Sequence, residues 1–181
     1  MSIVLLKRPD DGTSKSLQGA ILLLEGKYDE AIAAGEFASV KLPGSATVWA
    51  VLAHSLTYVG EHERALEYVE KAMELSPLHP PWYRWTKGRA LRMAGEFDRS
   101  VAILEQDFNP AKPVLVNLVE LTASYWAGGR REDARRVARM IRRAVPGFTA
   151  SAWLEHPRIS PGAEDVRTEE FILLSSAFVQ Q

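Results

Sequence analysis

The chain has 181 residues, 46% of them apolar, with 22 basic side chains against 23 acidic ones, a formal net charge of −1 and no cysteine. That length and apolar content suit one domain with a continuous core, and the near balance of charge argues against a global pull on nucleic acid or an anionic membrane. Without cysteine there are no disulfides and no thiolate metal sites, which fits a reducing, cytoplasmic setting.

The N-terminal tail, residues 1–11, opens MSIVLLKRPDD. Its apolar run from Ile3 to Leu6 is too short for a signal-peptide core, and Lys7 and Arg8 follow it rather than precede it. No stretch approaches the roughly 20 apolar residues that span a bilayer, so a soluble chain is expected.

Four glycines then set a period. Gly26, Gly60, Gly95 and Gly129 are spaced by 34, 35 and 34 residues, and a small residue follows each by five: Ala31, Ala65, Ser100 and Ala134. Self-similarity at this period marks stacked helix–turn–helix pairs, here in windows 12–45, 46–79, 81–114 and 115–148. The second window is the most regular, with Trp49, Leu52, Ala53, Leu56, Ala65, Ala72 and Pro77 in phase. In the first, Lys15 stands where a bulky residue belongs, as suits an end repeat with nothing stacked before it. The fourth keeps Leu118, Leu121, Tyr125, Ala134, Ile141 and Pro146.

The third window departs from the pattern. Asp107 occupies a place for a small apolar residue, and Asn109, Pro110 and Pro113 follow. The second helix there is expected to end early, near Phe108, leaving Asp107 at a loop edge instead of stranding a carboxylate in the core. Beyond Pro146 the segment 149–181 predicts a short helix over Thr149–Glu155, with Trp153 covering the fourth repeat, then Pro157 and Pro161, then a last helix from about Ala163 to Val179. Solenoids need such end caps because each unit buries its apolar face only against a neighbour.

Across 12–148 these features resemble the tetratricopeptide repeat family. The resemblance implies an all-α fold, a right-handed α-solenoid of four repeats with a C-terminal capping helix, and a surface that holds proteins or peptides. More narrowly, LSPLHPPWYRWTKGRALRMAGEFDRSVAILE (75–105) and the closing PGFTASAWLEHP resemble tetratricopeptide regions C-terminal to class III adenylate or guanylate cyclase domains of bacteria. The cyclase catalytic domain itself has no counterpart in these residues. Family members that clamp chaperone tails use a lysine and asparagines where this chain has Ser16, Ala20 and His54, and only Arg89 fits that clamp; the resemblance therefore implies a different ligand.

The family's concave face maps onto His54, Tyr58, Trp82, Trp85, Arg89, Arg92 and Trp126, an aromatic and basic set suited to an acidic peptide. Two alternatives stand beside this: the tryptophans serve as core while the arginines face solvent, or the chain's own last helix fills the groove. Arg131, Arg135, Arg139 and Arg142 share one helical face, either a docking patch for acidic protein, nucleic acid or lipid, or a solvated convex surface. Phe171, Leu174 and Phe178 form the apolar side of the last helix, which either folds back as a cap or packs on a second copy in a homodimer.

Catalysis finds little basis. The four histidines have no metal-ligand spacing, and no GxSxG, HExxH or phosphate-binding loop occurs. No enzyme activity, metal or cofactor is expected. The leading expectation is a non-catalytic interaction module for a peptide or protein segment. The alternative is a regulatory or dimerisation appendage of a multidomain bacterial signalling enzyme, and a nucleic-acid or membrane binder is the weakest reading.

Overall fold

Ten α-helices and no strand make up the described residues, 11–155 and 164–178, of a computed structural model. The N-terminal tail before Asp11, together with Pro157, Pro161 and Val179, lies outside them. Each repeat window holds one helix pair: α1 (Gly12–Leu24) with α2 (Tyr28–Lys41), α3 (Ala46–Thr57) with α4 (His62–Leu75), α5 (Trp82–Met93) with α6 (Phe97–Glu105), and α7 (Leu115–Ala127) with α8 (Arg131–Ala144). A short α9 (Ala150–Leu154) and a longer α10 (Glu164–Phe178) complete the chain.

Capping chemistry fixes where these helices start. Asp11 accepts from the backbone N–H of Ser14 at 2.8 Å and from its hydroxyl at 2.9 Å, closing the first turn of α1. Thr149 does the same for α9 through Ala152 N–H at 3.1 Å. The second helices of the pairs carry acidic residues in their first turns, Asp29 and Glu30, Glu63, Asp98, and Glu132 and Asp133, where the helix dipole favours them.

The recurring glycines end the first helices. Gly26, Gly60, Gly95 and Gly129 have φ between 74° and 81°, and no other described residue has positive φ. After α5, for example, Glu96 N–H reaches Leu91 C=O at 2.8 Å and Gly95 N–H reaches Arg92 C=O at 3.0 Å. That pair of bonds satisfies the last carbonyls of the helix in a Schellman turn and sends the chain back antiparallel.

Small residues let the antiparallel partners close up. Ala31, Ala65, Ser100 and Ala134 are all essentially buried. A Cβ on Gly88 would lie 2.5 Å from the Leu104 side chain, so any larger residue overpacks the contact between α5 and α6. The Ser100 hydroxyl is satisfied there by donating to Gly88 C=O at 2.6 Å, and its oxygen also lies 2.8 Å from Ser124 Oγ. Successive first helices touch in series, α1 on α3, α3 on α5 and α5 on α7, which makes the array a solenoid with one face lined by first helices.

In the third pair α6 stops at Glu105, a little earlier than the end expected near Phe108. Asp107 sits just beyond it and pairs with Arg84 of α5, accepting from Nε at 2.8 Å and also from Nη2. A partly buried carboxylate is thus matched by a fork-shaped cation and not stranded. At the C-terminal end α10 packs against α7, α8 and α9, burying Leu174 and Ala177. Phe178 stacks on Phe148 with centroids 5.1 Å apart.

Candidate ligand groove

The first helices line a cavity of about 380 Å³ that runs along all four repeats. Ala20, Leu23 and Leu24 come from α1, Val51, His54 and Tyr58 from α3, Trp82, Trp85, Thr86 and Arg89 from α5, and Val116 and Glu120 from α7; Trp153 of α9 closes one side. Five of the groove residues expected from the sequence, His54, Tyr58, Trp82, Trp85 and Arg89, therefore meet in one space. Trp126 does not line it. That ring stands half-buried over the core of the fourth repeat, under the guanidinium of Arg131 at 4.2 Å, because α7 turns this position away from the cavity.

Arg89 and Arg92, expected as open forks, are buried, at 4% and 1% exposure. Their partners come from far along the chain. Glu170 Oε1 on α10 accepts from Arg89 Nε at 2.9 Å and Nη2 at 2.5 Å, and from Arg92 Nη2 at 2.7 Å. Glu120 on α7 stands behind, 3.4 Å from Arg92 Nη2 and 3.8 Å from Arg89 Nε. Two cations and two carboxylates thus share one buried site, the arrangement burial demands if charges are to stay ionised.

The electrostatics follow from that packing. Burial pushes the Glu170 carboxyl up, but Arg89 and Arg92 together hold it below its ordinary value. For Glu120 burial prevails over the same two arginines, and its carboxyl lies above the usual range. Arg89 is disfavoured by burial yet held more firmly protonated by Glu170 and Glu120. His54 lies within 3.2 Å of Thr86 Oγ1 and packs edge-on to Tyr58 and Trp82. Burial, reinforced by the Arg89 charge, pushes its imidazole down to about 4. The ring is therefore neutral at pH 7.

Glu120 and Glu170 are the two charged side chains of this site that the sequence pattern does not single out. A signal existed for both. Glu120 is the one charged residue in LVNLVELTASYWA, a helix buried over Asn117–Tyr125, and Glu170 falls four residues before Leu174 on the same helical face.

The other expected sites separate into parts. Arg131 and Arg135 lie over Trp126, Arg135 also pairs with Glu132 at 2.8 Å, and Arg142 donates to Phe178 C=O and covers its ring at 5.2 Å. Arg139 is exposed. The four arginines are thus largely engaged in covering aromatic rings and tying α10 down, not one free basic face. On α10, Leu174 is buried and Phe178 half-buried, whereas Phe171 points outward at 46% exposure. Among the described residues no cluster of His, Asp or Glu is arranged to hold a metal, and no helix is long and apolar enough to cross a membrane.

The tetratricopeptide repeat family profile matches residues 81–106 and 118–140. Solved structures match the fold over almost the whole chain. The tetratricopeptide protein YrrB, described as having an unusual peptide-binding site, has a TM-score of 0.61 at 14% identity, covering 96% of this chain and 88% of its own. MamA from Desulfovibrio magneticus gives 0.65 at 15% identity, with 93% and 92% covered. A thermophilic tetratricopeptide protein of Thermus thermophilus gives 0.63 at 19% identity, with 94% and 84% covered. No curated protein matches the chain. The helix pairs thus form an α-solenoid of the tetratricopeptide type, a fold that in general serves as a scaffold for protein interaction.

Proposed function

We propose that this tetratricopeptide-type solenoid is a non-catalytic interaction module that takes a peptide or protein segment into the concave groove of its first helices. The observation that carries this reading is the cavity, with Trp82, Trp85 and Trp153 on its walls and a few polar groups, His54, Thr86, Arg89 and Glu120, at fixed places among apolar ones. Concave apolar walls with sparse, oriented polar groups are the usual make-up of a binding site. Tryptophan and arginine also carry the largest share of binding energy at protein interfaces.

Leu24 offers a clean test, because it lines the cavity yet is 47% exposed, so replacing it spares the core. Screening an array of immobilised helical peptides with wild-type protein and with Leu24→Arg should show binders lost by about tenfold or more, equal to about 1.4 kcal/mol, at unchanged Tm. Peptides held equally by both proteins would remove the groove as the site.

A second reading makes the chain a regulatory or dimerisation appendage of a multidomain bacterial signalling enzyme such as an adenylate cyclase. It draws on the likeness of 75–105 and of the PGFTASAWLEHP step to such regions, and on the adjacent exposed side chains of Phe171 and Ile172 on α10.

A further inference from the structure

We infer that α10 is an internal ligand of the groove, and that it gives way to a helical segment of another protein carrying one carboxylate on an apolar stripe. The inference rests on the groove reading above and names the partner's chemistry. α10 presents Glu170, Leu174 and Ala177 on one buried face, a carboxylate followed by small and branched apolar groups at helical spacing. Its Glu170 places a single oxygen among three guanidinium donors of Arg89 and Arg92. With α10 lifted away, those two cations face Glu120 alone, beside aromatic walls. The vacated site then carries surplus positive charge in an apolar setting, and the group that restores balance there is another carboxylate.

Two further observations mark α10 as a replaceable occupant. First, the fit is incomplete: Arg92 Nε, Arg92 Nη1 and Trp85 Nε1 are buried without an acceptor. A ligand whose acceptors reach these donors gains bonds that Glu170 leaves unmade. Second, α10 seats only part of its apolar surface: Leu174 and Ala177 pack on the neighbouring helices, while Phe171 and Ile172 are left in solvent. The cavity beside the charge site also remains unfilled, so room exists for larger apolar side chains than α10 brings. A groove closed by its own helix binds outside partners more weakly by the fraction of time it is open.

The probe is a labelled synthetic peptide of residues 164–178, titrated by fluorescence anisotropy into the full-length wild-type chain and into full-length Glu170→Gln. The neutral amide weakens the internal contact, so the peptide should bind Glu170→Gln about tenfold tighter than wild type, while the same peptide carrying Glu170→Gln should bind neither. Equal affinity for the two chains, or binding indifferent to the peptide's charge, would overturn the inference. Hydrogen exchange on the wild-type chain keeps the test decisive should the variant misfold. Amides of α10 should exchange ahead of α7 and α8, and exchange of all three only together would overturn it. A dimer that trades α10 between copies, detected by light scattering of Glu170→Gln, would likewise replace the outside partner with a second copy. Should the peptide fail while array peptides still bind in a Leu24-dependent manner, the groove stands and the role of α10 falls.

Discussion

His54 shows how far one side chain's behaviour depends on its surroundings. In sequence it is a histidine on a first helix without metal-ligand companions. In the fold it sits among Tyr58, Trp82, Thr86 and Arg89, and burial together with the nearby guanidinium lowers its pKa to about 4. A histidine depressed below its unfolded value of about 6.5 leaves the folded state short of a proton that the unfolded chain binds. Stability is therefore full above pH 6.5 and falls as pH drops from 6.5 towards 4, by roughly 2–3 kcal/mol after allowance for the ring's partial exposure. Urea melts across that window should show this slope, and His54→Asn, which cannot titrate, should flatten it. Parallel slopes for the two proteins would assign the acid sensitivity to other groups. Burial is also what separates Arg89 and Arg92 from the surface arginines of α8. All are the same residue type in the sequence; those of α8 that pair with Glu132 or Asp133 do so at or near the surface, whereas Arg89 and Arg92 meet their carboxylates buried.

At the scale of elements, the turns were the most legible part of the chain. The period of Gly26, Gly60, Gly95 and Gly129 coincides with four left-handed glycines, because a Schellman turn places a positive φ at the residue after the helix cap. At Gly95 a Cβ would meet nothing within 4 Å, so the cost of a side chain there is conformational alone. Gly95→Ala should lower stability by about 1 kcal/mol, and β-branched Gly95→Val by more. Equal Tm values for the two variants would show that the turn adapts. The early end of the second helix in the third repeat was also readable, since Asp107 and the prolines after it disfavour a helix, although α6 ends at Glu105 sooner than expected. Less legible was α10. Its apolar residues read as one side, yet the buried stripe runs through Glu170, Leu174 and Ala177 and leaves Phe171 outside. Local periodicity cannot choose between two overlapping faces of a short helix; the charges of α5 make that choice.

For the whole molecule, the groove reading and the appendage reading differ in oligomeric state. Light scattering of the wild-type chain should give a monomer, unchanged by Phe171→Glu. A dimer dispersed by that substitution would favour the second reading, since the exposed pair Phe171 and Ile172 would then be its seam. The solenoid itself follows from a sequence rule: each helix pair repeats the same small residues and the same turn, so neighbours must stack alike. By itself the sequence therefore determined the all-helical solenoid of helix–turn–helix pairs and the positions of its glycine turns. All of these depend on contacts within about one repeat length. Only the tertiary structure decided that Arg89 and Arg92 are neutralised by Glu120 and Glu170 and that Trp126 leaves the groove. The reason is distance along the chain. Glu170 lies 81 residues from Arg89, and no local pattern encodes a meeting that requires four stacked repeats to bend the last helix back onto the third.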